Sequence, residues 1–142
     1  MNRILIGDVI DKLKEIPDAS IQCVVTSPPY FGLRDYGVSG QIGLEKTPEE
    51  YDAKLVEVFR EVRRILRNDG TLWLNLGDSY AMSSIRGGKK PLSGNVGAHA
   101  GYAEGSIPSG KRSIPNGLKP KDLIGIPWRV AFALQADGWY LR

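Results

Sequence analysis

An apolar run that ends in two prolines and an aromatic ring lies near the start of the chain, at Ile21-Gln22-Cys23-Val24-Val25-Thr26-Ser27-Pro28-Pro29-Tyr30. Residues 21–26 are mostly apolar and rich in β-branched side chains, which is typical of a strand buried on both faces of a parallel sheet. Within such a strand we expect Cys23 to be a buried small hydrophobe. Each proline fixes its own φ angle and moves the preceding residue out of the helical region. The sequence therefore predicts a stiff ledge, Ser27–Tyr30, that can hold a flat, amino-bearing ring.

Apolar periodicity on both sides of the ledge predicts alternating strands and helices. The predicted strands are residues 3–6, 21–26, 71–76 and 139–142, and the predicted helices are residues 9–16, 48–67 and 127–136. This alternation is typical of an α/β sandwich with a mostly parallel sheet. Ligands of such sheets bind beyond the carboxyl ends of the strands. Asp8, Ser27 and Asp78 each follow a predicted strand, so we expect them along one edge.

The composition is that of an ordinary globular protein, with 42% hydrophobic and 25% charged residues. A length of 142 residues predicts one domain. No apolar stretch is long enough to span a membrane, and the acidic Asp8 interrupts the N-terminus too early for a signal peptide. Because the single Cys23 can form no internal disulfide, we expect a cytoplasmic protein without a membrane partner.

A glycine-rich, basic loop at about residues 82–119 interrupts the apolar pattern. Seven Lys and Arg residues stand against the single acidic Glu104 between Met82 and Lys121, whereas the whole chain carries only +3. A basic segment on a near-neutral body is typical of proteins that bind a polyanion such as DNA. A solvated loop with no ligand has the same composition, and charge alone does not separate the two. His99 has no clustered ligand partners in the sequence, so we expect no metal site.

The stretch Thr26–Tyr30 resembles the signature of the amino-methylating DNA methyltransferases, specifically their cytosine-N4 branch, which reads Thr-Ser-Pro-Pro followed by Tyr or Phe. The adenine-N6 branch more often carries Asp at the position of Ser27. The resemblance continues in order along the chain, through blocks at Gly7-Asp8, Phe31–Gly37, Trp73–Tyr80, Ile126–Arg129 and Gly138–Arg142. It covers most of the chain outside the basic loop, and an ordered set of blocks is more specific than one short motif.

This resemblance implies a partial Rossmann-like methyltransferase sandwich and a reaction. The methyl group of S-adenosyl-L-methionine would pass to the exocyclic N4 amine of a cytosine flipped out of double-stranded DNA, in a restriction-modification or phage setting. Ser27 Oγ and the Pro28 carbonyl would accept the amino hydrogens, Pro29 would keep the ledge stiff, and Tyr30 would stack on the base. Asp8 is similar to the family's acidic residue near the cofactor's adenosine, and a cap for the following helix is an equal alternative.

The resemblance to a DNA-modifying family also places the basic loop against the DNA backbone. The residues expected to contact phosphates are Arg86, Lys89, Lys90, Lys111 and Arg112. Asp35 and Asp78 have weaker claims to a functional role, because loop aspartates more often accept hydrogen bonds from nearby backbone.

The sequence departs from the family in its cofactor-binding part. The glycine-rich block Phe-x-Gly-x-Gly has no counterpart, and Arg142 lies inside a predicted strand. We therefore expect a single, incomplete catalytic domain at residues 1–142, truncated at the C-terminus, with little activity unless a missing C-terminal half or a complementing chain is supplied. Two alternatives stay open: an adenine-N6 DNA methyltransferase and a non-catalytic DNA-binding remnant. A methyltransferase of another planar amide or amine is a third, although such relatives generally carry Asn or Asp in place of Ser27.

Overall fold

A computed structural model describes residues 2–81 and 114–142, which form a small α/β unit. Its elements, in chain order, are α1 (Val9–Lys14), β1 (Ile21–Thr26), α2 (Pro48–Ile65), β2 (Leu66–Leu74) and α3 (Ile126–Ala136). In this part of the chain β1 and β2 form a two-stranded parallel sheet. None of the described helices is long and apolar enough to cross a lipid bilayer. The predicted α/β class and the predicted parallel pairing are confirmed.

The long helix α2 forms for the reasons that its sequence suggests. The Thr47 hydroxyl accepts a hydrogen bond from the Glu50 N–H at 3.2 Å, and Pro48 lies in the first turn. Side chains at helical spacing bury one face of the helix, namely Tyr51, Leu55, Val58, Phe59, Val62 and Ile65. Arg129 of α3 donates to Asp52 of α2 at 3.0 Å, so an ion pair joins the two packed helices.

The strand β2 starts directly after α2 and runs through residues 68–70, which lie between the predicted helix at 48–67 and the predicted strand at 71–76. An irregular register near Ile21 accommodates the extra length. Gly70 suits this place because a Cβ would lie only 2.9 Å from a backbone oxygen. Beyond it the pairing is regular and ends with Thr26 opposite Leu74, so both strands finish at the same edge of the sheet.

Two of the predicted strands are wrong. Residues 3–6 and 139–142 pair with no strand in the part of the chain that the structure describes. Ile4 and Ile6 are correspondingly 88% and 87% exposed. An apolar alternation is not enough to make a strand, because the backbone N–H and C=O groups of a strand need a neighbouring strand as their partner.

The prediction that β1 is buried on both faces is also wrong. Cys23 is exposed, and Val25 is 78% exposed beside its cross-strand neighbour Trp73 at 65%. Successive side chains of a strand point to opposite faces, and it is the face carrying Val24 and Leu72 that packs against the hydrophobic core. Over the described residues, the second face of the sheet is therefore exposed.

Candidate active site

The ledge Ser27–Tyr30 lies at the carboxyl edge of the sheet, where the sequence predicts it. Ser27 follows Thr26, the last residue of β1, and the Asn75 N–H donates to the Thr26 carbonyl oxygen at 2.9 Å. Ser27 is exposed, whereas Pro28, Pro29 and Tyr30 are half-buried. Ser27 thus lies exposed directly after the strand, while the three residues after it are partly buried in the fold.

A buried tyrosine of α2 supports the ledge from below. The Tyr51 hydroxyl donates to the Pro29 carbonyl oxygen at 2.8 Å, and Tyr51 is fully buried. Burial raises the pKa of Tyr51 above its ordinary value, so the hydroxyl stays protonated and continues to donate. The Tyr51 ring also packs on Phe31 with the centroids 5.5 Å apart. These contacts fix the peptide that joins the second proline of the ledge to Tyr30.

The loop after the ledge folds back to enclose it. The Gly32 N–H donates to the Gly43 carbonyl oxygen at 2.7 Å. Gly43 has a φ of +103°, and a Cβ there would lie 2.9 Å from the Tyr30 carbonyl oxygen. Both the backbone conformation and the close approach require glycine at this position.

The ring of Tyr30 is held by the segment that follows β2. The Asn75 side-chain amide donates to the Tyr30 hydroxyl at 3.2 Å. A Cβ at Gly77 would lie 2.8 Å from both Cδ2 and Cε2 of the ring. Tyr30 is half-buried, and the exposed Ser27 lies three residues before it. A hydroxyl and a fixed aromatic ring in one short segment are residue types suited to hold a planar amine.

Asp78 accepts hydrogen bonds from its own loop and from the start of α3. Its Oδ1 accepts from the Ser79, Gly125 and Ile126 N–H groups at 2.8, 3.0 and 3.1 Å. Gly125 precedes α3 and has no side chain to cap the helix, so Asp78 supplies that cap from 47 residues away. The prediction that this aspartate accepts from nearby backbone is confirmed for Ser79. The bonds to Gly125 and Ile126 are long-range contacts, and they fix α3 against the loop after β2.

Asp8 caps α1. Its Oδ1 accepts from the Ile10 and Asp11 N–H groups at 2.9 and 3.3 Å, so the alternative interpretation as a helix cap is confirmed. The residues before it form no strand, and its cofactor-binding role stays a prediction. Asp35 likewise accepts from the Gly37 N–H at 2.7 Å within its own loop.

The chain on both sides of residues 82–113 is tied together beside the ledge. The Ala81 N–H donates to the Asp122 carbonyl oxygen at 2.7 Å, and the Ile124 N–H donates to the Ser79 carbonyl oxygen at 2.9 Å. The Ser79 hydroxyl in turn donates to the Phe31 carbonyl oxygen at 3.1 Å. His99 and the residues predicted to contact phosphates lie outside the described residues. The residues with this prediction are Arg86, Lys89, Lys90, Lys111 and Arg112.

A groove of about 890 Å³ lies between β2, α3 and residues 139–142, and no ledge residue lines it. Asp8, the residue expected to contact the cofactor, is an exposed carboxylate that caps α1. Within residues 2–81 and 114–142 there is also no group of three His, Cys, Asp or Glu side chains that could hold a metal ion.

Sequence reasoning missed three residues that position the ledge: Tyr51, Asn75 and Gly77. Tyr51 has the spacing of an ordinary core residue on α2. Asn75 and Gly77 gave a faint signal, because a polar residue and a glycine follow an otherwise apolar strand. Tyr51 contacts Pro29 across 22 residues, and Asn75 contacts Tyr30 across 45 residues. No local pattern in the sequence reveals pairs that lie so far apart.

Comparison with known proteins identifies the family of the chain. A family profile described as DNA methylase, covering N6 and N4 methyltransferases, matches residues 21–142. The chain is 52% identical over 136 residues to the Type II methyltransferase M.XycI of Xanthomonas campestris pv. cyanopsidis. It is 50% identical over 136 residues to the Type II methyltransferase M.Cfr9I of Citrobacter freundii. Each of these two alignments covers 96% of this chain and 42% of the relative. It is 51% identical over 140 residues to M.SmaI of Serratia marcescens, covering 99% of this chain and 45% of the relative. The chain thus spans less than half the length of these curated relatives, and it belongs to the family of N6/N4 DNA methylases.

Proposed function

We propose that this chain forms the target-base side of a site-specific DNA methyltransferase that modifies the exocyclic N4 amine of cytosine in double-stranded DNA, in a restriction-modification or phage setting. The observation that carries the proposal is the ledge itself. Ser27 is exposed at the end of β1, three residues before Tyr30, whose hydroxyl accepts from Asn75 and whose ring lies against Gly77. Relatives named as Type II methyltransferases support the reaction class.

The residue types suit an aromatic amine as the group to be methylated. The lone pair of such an amine is delocalised into the ring, so hydrogen-bond acceptors that favour a pyramidal nitrogen make it more nucleophilic. Ser27 Oγ and the Pro28 carbonyl are acceptors of this kind, and Pro28 has no N–H to compete. Because the ledge is anchored by Tyr51, these acceptors are preorganised and can act on the transition state.

Tyr30 is proposed to stack on the target base after the base has left the duplex. A base inside the helix presents no free face to a side chain, so enzymes that act on a base extrude it into a pocket. The half-buried Tyr30 ring is anchored at its hydroxyl by Asn75. Stacking on an aromatic side chain is worth about 1–3 kcal/mol per base, which offsets part of the cost of unstacking it.

The proposed methyl donor is S-adenosyl-L-methionine, which supplies an electrophilic methyl carbon on its sulfonium sulfur. The proposal assigns this chain the handling of the base. We further propose that the α/β unit is part of a Rossmann-like methyltransferase domain, that the rest of the cofactor site comes from a further segment or a complementing chain, and that the protein is cytoplasmic. The basic loop at about 82–119 would contact the DNA backbone.

Adenine-N6 methylation is the second candidate. The family profile covers both N6 and N4 enzymes, and both reactions need an acceptor at the position of Ser27. Serine favours cytosine in the proposed assignment because the N6 branch more often carries Asp there. A DNA-binding remnant without catalysis is the third candidate, and it predicts salt-sensitive DNA binding with no methyl transfer.

The test is methyl transfer by the protein at its natural length. DNA is incubated with protein and S-adenosyl-L-methionine carrying a labelled methyl group, then digested to nucleosides that are separated and weighed by mass spectrometry. We expect label in N4-methylcytosine and its loss in Ser27→Ala. Ser20→Ala is the matched control, because the Ser20 hydroxyl donates to the Pro17 carbonyl oxygen in a turn before β1. Label in N6-methyladenine would select the second candidate, and DNA binding without label would select the third.

A further inference from the structure

The segment that follows β2 contacts Thr26, the residue before the ledge, and Tyr30, the last residue of the ledge. We propose that Asn75 and Gly77 are positioning residues for methyl transfer, and that they fix the orientation in which the Tyr30 ring meets the target base. Neither residue belongs to the Ser27–Tyr30 signature, and both come from the neighbouring strand's end. The inference rests on the proposed function, because the orientation of Tyr30 matters to catalysis only if a base stacks on it.

Asn75 joins the two ends of the ledge. Its backbone N–H donates to the carbonyl oxygen of Thr26, the residue before Ser27, at 2.9 Å. Its side-chain amide donates to the hydroxyl of Tyr30 at 3.2 Å. One residue therefore sets the distance between the strand end that carries Ser27 and the ring that closes the ledge. The backbone bond continues the parallel pairing of β1 and β2, so Asn75 is itself held by the sheet.

Gly77 makes room for the ring. A Cβ at this position would approach Cδ2 and Cε2 of Tyr30 to 2.8 Å, whereas carbon atoms pack best at about 3.5–4.0 Å. The φ angle of Gly77 lies outside the left-handed region, so its backbone conformation does not demand glycine. The requirement for a missing side chain thus comes from the Tyr30 ring alone. An alanine here must move either the ring or the loop that leads to Asp78.

The orientation of the ring is a catalytic matter because the reacting amine is rigidly attached to the base. A base that stacks on a displaced ring carries its amine away from Ser27 Oγ and the Pro28 carbonyl. A misplacement of about 1 Å can cost about 100-fold in rate. We therefore expect Gly77→Ala to lower kcat about 10- to 100-fold, with a smaller change in KM for DNA, since most phosphate contacts lie elsewhere.

The decisive experiment is a double-mutant cycle between Asn75→Ala and Tyr30→Phe in the natural-length protein, read out as kcat and KM for methyl transfer to DNA. Both changes remove the same hydrogen bond. Each single variant is expected to lower kcat about 3- to 10-fold, and the double variant is expected to be no slower than the slower single variant. Asn68→Ala is the control, because Asn68 is an exposed asparagine near the start of β2, at the end of the strand opposite the ledge.

A second cycle pairs Gly77→Ala with Tyr30→Ala and remains informative if Gly77→Ala alone folds poorly. Once the ring is removed, an alanine at position 77 is expected to cause no further loss of kcat or of thermal stability. Gly40→Ala is the matched control, since its φ of +77° strains an alanine but nothing lies within 4 Å of the added Cβ. Losses that multiply in both cycles, with methyl transfer intact in the unmutated protein, would overturn this inference alone. An unmutated protein that transfers no methyl group would overturn the proposed function and this inference with it.

Discussion

Replacing Tyr51 by phenylalanine tests whether the core of α2 holds the ledge in place. The substitution keeps the ring and its contact with Phe31 but removes the hydroxyl that donates to the Pro29 carbonyl oxygen at 2.8 Å. A neutral hydrogen bond contributes about 0.5–1.5 kcal/mol net, whereas an acceptor that is left buried without a partner costs about 1–3 kcal/mol. The cost of an unpaired acceptor applies here, because the Pro29 carbonyl stays partly buried. Water can still reach such a group to some extent, so we expect the free energy of unfolding to fall by about 1–2 kcal/mol.

The assay is urea denaturation of the natural-length protein, with methyl transfer measured in parallel. Tyr140→Phe is the control, because Tyr140 is 91% exposed and the same hydroxyl is removed there from a solvated side chain. Tyr51→Phe is expected to lower kcat as well as stability, since the ledge loses its anchor. A Tyr51→Phe protein as stable as the control, with unchanged kcat, would refute the reasoning that α2 supports the ledge.

The pH dependence of stability gives an independent check on the same residue. Burial raises the pKa of Tyr51 above its ordinary value near 10. A group whose pKa is raised by folding contributes stability that is present below its unfolded pKa and is lost as the pH rises above it. Stability should therefore fall above about pH 10 in the unmutated protein. It should fall less steeply in Tyr51→Phe, and equal slopes would contradict the burial of this hydroxyl.

Three further predictions concern charges. Asp78→Ala removes a half-buried carboxylate that accepts from three backbone N–H groups, and it should lower the free energy of unfolding by about 2–3 kcal/mol in urea denaturation. Asp78→Asn should lower it less, because one side-chain oxygen remains as an acceptor. Equal losses for the two variants would contradict the role of Asp78 as the cap of α3. The Arg60 side chain lowers the pKa of Asp137 through its hydrogen bond. The contribution of this ion pair to folding stability should therefore disappear as the pH falls below the ordinary pKa of an aspartate. In melting temperatures measured over a pH series, Arg60→Ala should lose less stability at acid pH than the unmutated protein does. Neutralising the basic residues of the loop should weaken DNA binding; the positions to substitute are Arg86, Lys89, Lys90, Lys111 and Arg112. The slope of log affinity against log salt concentration should become shallower by about 0.9 for each phosphate contact that is lost. An unchanged slope would mean that these residues do not contact DNA.

Local patterns predicted the elements that are stable for local reasons. The helix α2 carries its own cap at Thr47 and its own apolar face, and its start at Pro48 is where the sequence predicts it. The strand β1 occupies residues 21–26 as predicted. The predicted strands that depend on pairing with a distant strand were less successful. Residues 3–6 and 139–142 have the composition of strands, yet they lie against no strand in the described part of the chain.

Burial was the property that the pattern of β1 predicted least well. A continuous apolar run indicates that a strand can be covered on both faces, but it does not supply the layers that cover it. Val24 lies against the core, whereas Val25 on the opposite face is 78% exposed. Which of two similar valines is buried depends on where the helices lie, and that is decided by the packing of the whole unit.

The sequence by itself determined the ledge, its place after a strand, and the family. The two prolines fix their own φ angles and restrict the residue before each of them whatever surrounds the ledge, and the order of blocks along the chain is a property of sequence alone. Only the tertiary structure decided what holds the ledge. Tyr51 reaches the Pro29 carbonyl across 22 residues, and Asn75 reaches the Tyr30 hydroxyl across 45. Such contacts exist only after α2 and β2 have packed against β1, because that packing brings distant residues within hydrogen-bond distance.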